Sequence, residues 1–165
     1  PNIGGYIRNY TIRGAAQSVS GEMQAARSKA IMSNTNNGVF FAVVDADSYR
    51  WIMADNPDGE RLGPLRDLPS GVVFVPSAEA DSGETMRFTR LGGFCNPVAS
   101  ATCDGFAFDL CTSEEANRCN RSPGGAYIEQ DAGTGGGMTV TLLEQSTSLQ
   151  RTVRIAPGGR ILPQP

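Results

Sequence analysis

The chain has 165 residues, 39% of them apolar and 19% charged, which suits one domain with a sizeable core and excludes both a disordered chain and a membrane bundle. Its net charge is −3, and its basic residues are 13 arginines and the single lysine Lys29, with no histidine. The missing imidazole excludes Ser-His-Asp and Cys-His catalysis and histidine-ligated zinc, and the acidic balance argues against a globally basic nucleic-acid coat.

The first predicted element is a long helix. No proline falls between Asn2 and Asn36, and apolar residues recur at Ile12, Ala16, Val19, Met23, Ala26 and Ala30, a helical stripe. Ile3, Ile7 and Tyr10 carry apolar character backward on a face rotated from that stripe. Gly4, Gly5, Gly14 and Gly21 each cost about 1 kcal/mol relative to alanine, so packing must hold the helix. Residues 19–31 are expected to lie under a sheet, while Ile3, Tyr6, Ile7 and Tyr10 are left for partner subunits. The polar run 33–38 ends the helix. Its length, about 50 Å, exceeds the width of a small domain, so it should protrude at the Pro1 end.

Strands follow. The apolar run 39–44 predicts a buried strand, and 49–53, with Tyr49 and Trp51, a paired one; 45–47 and 55–59 read as turns. Residues 72–75 form a third strand. In a fourth, Met86 and Phe88 alternate with Arg87 and Thr89, the pattern of a half-exposed strand. Residues 92–125 show no periodicity. Strand signals resume at 138–142 and 152–155, joined by a polar turn at 145–148, and a tight 157–159 precedes 160–162. One helix followed only by strands predicts an α+β fold, an antiparallel sheet wrapping a single helix. The expected division is an N-terminal helix, 1–34, and a β-rich head, 35–165, that includes a disulfide-bonded loop region, 92–125.

Cys95, Cys103, Cys111 and Cys119 stand eight residues apart. An even count in a loop-like segment reads as two disulfides and an oxidising compartment. A tetrathiolate metal site is the rival, but such sites use tight C-x2-C pairs, and none exists here. All three connectivities stay open. Sequential pairing would close two loops worth about 2.5 kcal/mol each.

The helix residues 23–31 (Met-Gln-Ala-Ala-Arg-Ser-Lys-Ala-Ile), the hydrophobic and tryptophan strands after them, and the ending Arg151-Thr152-Val153-Arg154-Ile155 with Gly159-Arg160 together resemble the GspH/FimT family of minor pilins and type II secretion pseudopilins. The resemblance covers roughly 1–53 and 138–162; the cysteine region departs from the family's short form. It implies a pilin-like fold and a structural, non-enzymatic role in assembling a type IV pilus or a type II secretion pseudopilus through helix packing and head contacts with other subunits. The start at Pro1, Asn2, Ile3 and Tyr6 resembles the point where proline follows the apolar anchor of a mature pilin. The expectation is therefore a removed membrane-spanning segment, an inner-membrane anchor with a periplasmic head, and a place in a filament after assembly.

Other candidates are weaker. Arg87, Arg90, Arg151, Arg154 and Arg160 fall on or beside late strands, and several could share a solvent-facing sheet surface that binds DNA phosphates. Some FimT-like proteins bind DNA through a C-terminal G-R-x-R pattern, but here Ile161, Leu162 and Pro163 follow Arg160 and the second arginine is missing. The carboxylates Asp45/Asp47, Asp55/Asp58/Glu60 and Asp104/Asp109 lack the spacing of a calcium loop, and the glycine-rich 133–137 lacks the lysine of a phosphate loop. No catalytic residue, metal site or cofactor is expected.

Overall fold

The computed structural model describes residues 3–34, 38–55, 59–78, 85–95, 127–130, 137–156 and 158–164. The helix α1 runs unbroken over Ile3–Ser33, about 46 Å at the α-helical rise. The strands are β1 (Val39–Val43), β2 (Ser48–Asp55), β3 (Gly59–Leu62), β4 (Arg66–Asp67), β5 (Val72–Phe74), β6 (Thr85–Phe88), β7 (Phe94–Cys95), β8 (Ile128–Gln130), β9 (Met138–Glu144), β10 (Leu149–Ile155) and β11 (Ile161–Gln164). The fold is α+β, as expected, but the strands form two antiparallel sheets where one was anticipated. The first has the order β3-β2-β1-β6-β7, with β4 also on β2; the second has the order β11-β10-β9-β5, with β8 also on β9.

Apolar spacing explains the packing. Ile12, Ala15, Ala16, Val19, Met23, Ala26 and Ala30 are buried and meet Val39, Phe41 and Val43 of β1, Met86 and Phe88 of β6, and Val153 and Ile155 of β10 in one core. Four of these seven helix residues are alanines, small enough to let both sheets approach the helix. A run of ring contacts, Phe41 to Tyr49 to Phe74 to Tyr127 at centroid distances of 6.0, 5.9 and 6.1 Å, ties the first sheet to the second.

Two expectations about exposure are corrected. All four residues of β6 are buried, Arg87 at 1% exposure, so β6 is not half-exposed. β6 is an interior strand, and Arg87 pairs in register with Phe40, which is itself fully buried on the face of the sheet away from the helix, as are Ala42 and Ile52. Alternation along β6 therefore separates two covered faces, not a wet one from a dry one. Ile31, expected under the sheet, is 46% exposed, because it sits about 100° round the helix from Ala30 and the stripe.

Candidate interaction surface

The N-terminal part of α1 leaves the core before Ile12. Ile3, Tyr6, Ile7 and Tyr10 are 67%, 76%, 58% and 73% exposed, and at 3.6 residues per turn they stand on the side of the helix opposite the buried stripe. The same outward line continues through Gly14, Gln17, Gly21, Gln24, Ala25, Ser28 and Met32, and no residue on it is charged. A helix whose outer side faced only water would carry charge there. The charged residues of α1, Arg8, Arg13, Glu22, Arg27 and Lys29, stand on its flanks or toward the sheets.

The residues that carry the family resemblance meet at the far end of the helix. Arg27 Nε donates to the Gly92 carbonyl at 2.9 Å in the turn between β6 and β7. Gly159, in the turn between β10 and β11, has φ +82°, and a Cβ there would lie 2.3 Å from the Gly92 carbonyl oxygen and 3.3 Å from Arg27 Nε. Turns from both sheets thus close around one helix guanidinium. Two residues on, Lys29 Nζ lies 4.4 Å from the centroid of the Trp51 ring, a cation–π contact between the helix motif and the tryptophan strand.

Two concave features lie on opposite flanks of α1. Beside the first sheet, a groove of ≈ 750 Å³ is lined by Ser18 and Glu22 of the helix and by Tyr49, Arg66 and Asp67. The Glu22 carboxylate is 6% exposed; Oε2 accepts from Arg66 Nε at 2.9 Å, and Oε1 is buried without a donor among the described residues. Burial, and the Glu22 charge, push the Tyr49 phenol above its ordinary value. More acid stands nearby. A hydrogen bond with Asp45, then burial and the charges of Asp45 and Asp67, raise the Asp47 carboxyl. For Asp45, burial pushes upward, but the hydrogen bonds from Ser48 and Asp47 outweigh it and hold its carboxyl low. Asp45 accepts from the Ser48 hydroxyl at 2.6 Å and the Asp47 amide at 3.1 Å, so it organises the turn between β1 and β2.

Beside the second sheet, a cleft of ≈ 420 Å³ is lined by Arg13 and Gln17 of the helix, Arg151 of β10, and Pro163 and Gln164 of β11. Arg151 Nη2 donates to Asn9 Oδ1 at 2.9 Å, while its Nε is buried without an acceptor among the described residues. No acidic side chain is among the described residues that line this cleft.

The late arginines are not gathered on one surface. Arg87 is buried in β6, and Arg90 and Arg160 are exposed in turns. Arg151 and Arg154, three residues apart on β10, point to opposite faces, Arg151 toward the helix with Val153 and Ile155. Of the cysteines, Cys95 pairs through its backbone with Arg87 as part of β7. Cys103, Cys111, Cys119 and the side chain of Cys95 lie outside the described residues, as do Asp58, Asp104 and Asp109 and the side chains of Asp55 and Glu60. Sequence reasoning did not single out Arg13, Glu22, Tyr49, Arg66 or Asp67. One signal was present: Glu22 is the only acidic residue in Ile3–Ser33.

One long helix laid across two antiparallel sheets, with its first turns standing free, defines the pilin-like class of α+β fold. Within that class the chain belongs to the GspH family: residues 15–125 match the family described as type II transport protein GspH. The fold is also similar to that of the minor pseudopilin EpsH from the type 2 secretion system of Vibrio cholerae, with a TM-score of 0.52 and 11% sequence identity over 90% of this chain and 92% of that one. None of the curated proteins compared matches the chain.

Proposed function

We propose that the chain is a pseudopilin subunit of a type II secretion system, a structural and assembly protein that joins neighbouring subunits through the outward side of α1. The observation that carries this reading is the uncharged outer line of the helix, apolar and exposed at Ile3, Tyr6, Ile7 and Tyr10 and small at Gly14 and Gly21. A Cβ at Gly14 or Gly21 would meet no heavy atom within 4 Å, so these glycines serve no packing inside the chain and leave room for the close approach of another helix. Membership of the GspH family supports the type II system over a type IV pilus.

On this reading the helix, 1–34, is the filament-building part and the head, 35–165, faces partners. The head sits in the periplasm, anchored to the inner membrane by an apolar segment ahead of the helix, and the four cysteines form two disulfides there. No helix among the described residues is long and apolar enough to cross a membrane, so the anchor would be a separate span.

The test is a Gly21→Arg variant. It places a long charged side chain in open space, so the chain should keep its melting temperature while losing cross-linking to neighbouring subunits in cells that carry the secretion system. Normal cross-linking by a folded variant would sink the proposal. The alternative, a DNA-binding subunit, would rest on Arg90, Arg154 and Arg160, since Arg87 is buried and Arg151 faces the helix. A gel shift at micromolar protein and moderate salt would favour it over the helix-packing reading.

A further inference from the structure

Glu22, the only acidic residue in Ile3–Ser33, is buried at 6% exposure but short of hydrogen bonds. Oε2 accepts from Arg66 Nε at 2.9 Å, while Oε1 has no donor among the described residues. An ionised carboxylate accepts through both oxygens, and burying one of them without a donor is costly. The register of the first sheet builds what surrounds this acid. β4 pairs with β2 so that Arg66 stands opposite Tyr49 and Asp67 opposite Ser48, which brings the Arg66 guanidinium to Glu22 and leaves that side chain 55% exposed. Asp67 is exposed, and its charge reaches the Asp47 carboxyl nearby. The groove between them sets two carboxylates against one guanidinium and has an apolar wall from Ala25, Leu65 and Pro69 beside Tyr49.

We infer that this groove binds a primary alkylammonium group, the chemistry shared by a lysine side chain and a free aliphatic amine, with Glu22 Oε1 and Asp67 as its acceptors and the apolar wall against its stem. An ammonium carries three donors on a slim chain, so it can serve Oε1 while Arg66 keeps Oε2. Oε1 lies beneath the groove surface, and the ammonium reaches it when the exposed Arg66 side chain rotates aside. The stem gains by leaving water for the apolar wall, as buried lysine stems do. A calcium ion fits less well. It takes about six to eight oxygens, no group of three or more ligating side chains occurs among the described residues, and the Arg66 charge repels a dication more than a monocation. The groove acts within the single chain, so the inference does not depend on the helix-packing reading.

The experiment follows amide chemical shifts of the labelled chain at constant, low ionic strength during addition of pentylamine, of N-acetyl-lysine amide, of uncharged pentanol and of calcium chloride. Pentylamine or the lysine amide should move the signals of Tyr49, Leu65 and Asp67 with a Kd of about 1–10 mM. Tighter binding of the lysine amide identifies a protein-borne lysine as the ligand, and tighter binding of pentylamine a free amine. Glu22→Gln should weaken binding about tenfold or more and the exposed Asp67→Asn about threefold. Asp67→Asn carries the test should Glu22→Gln fail to fold. No shifts at these residues with up to about 50 mM of either amine would overturn the inference. So would equal shifts with pentanol or calcium, or full amine binding by folded Glu22→Gln or by Asp67→Asn.

Discussion

Glu144 shows how a single side chain shapes a hairpin. At the end of β9 its carboxylate accepts from the Ser146 hydroxyl at 2.6 Å, from the Thr147 amide at 2.8 Å and from the Thr147 hydroxyl, gathering the turn that leads into β10. These hydrogen bonds from Ser146 and Thr147 hold the carboxyl at about 2, below its ordinary value of 4.5. A depressed value means that the contribution to stability is complete above the ordinary range and is lost as pH falls from about 4.5 toward 2. Titration of the Glu144 carboxyl by NMR should give a value near 2, and Glu144→Gln should flatten the acid limb of the stability curve; an ordinary carboxylate value would contradict the geometry. Gly159 is the second residue on which a junction depends. Alanine there meets a left-handed φ of +82° and a carbonyl oxygen 2.3 Å from its Cβ. The expected loss is about 2 kcal/mol or more, read from denaturant midpoints, and an unchanged midpoint would mean that the turns of the two sheets do not close as described.

At the scale of elements, the helix is built for two environments. Gly14 and Gly21 weaken it as an isolated element, yet neither has any neighbour that a methyl group would touch. Alanine at either should raise the stability of the chain alone by about 0.5–1 kcal/mol, a gain measurable by thermal melting and absent if these positions are packed. α1 was legible in the sequence because five turns of 3- and 4-residue apolar spacing, Ile12 to Ala30, have no strand reading, and the off-stripe Ile3, Ile7 and Tyr10 already separated the free end from the buried one. The strands β1, β2, β5, β9 and β10 were legible from apolar or alternating runs. β3, β4, β7 and β8 were not, because Gly59–Leu62, Arg66–Asp67, Phe94–Cys95 and Ile128–Gln130 are two to four residues long and owe their extended form to the strands they pair with. The burial of Arg87 was hidden for a related reason: period-two alternation tells which residues share a face and nothing about what covers that face.

At the scale of the whole molecule, the limit of the sequence reading is sequence separation. The exposed helix face is local and could be read from neighbours three and four residues apart. The flanking groove and cleft join Glu22 to Arg66 and Arg151 to Asn9, 44 and 142 residues apart, so they exist only once both sheets have closed on the helix. The same separation is why one anticipated sheet became two: antiparallel pairing follows from the strand patterns, but which strands share a sheet depends on distant pairings such as β5 with β9, which leaves the first sheet although its neighbours in sequence, β4 and β6, belong to it. The cysteines bear on the stability of that assembly. Their eight-residue spacing closes short loops, so each disulfide would remove limited entropy from the unfolded chain, about 2.5 kcal/mol for sequential pairing and more for a nested outer bond. Cys95 belongs to β7, the last strand in the order of the first sheet, paired across from Arg87, so a bond to it would restrain the chain directly at that edge of the sheet. Thiol titration of the unreduced protein in denaturant should therefore find no free thiol, and reduction should lower the unfolding midpoint by an amount equivalent to about 2–5 kcal/mol. Four titratable thiols would remove the argument for an oxidising compartment while leaving the helix, its outward face and the family assignment untouched, since none of these depends on the cysteines.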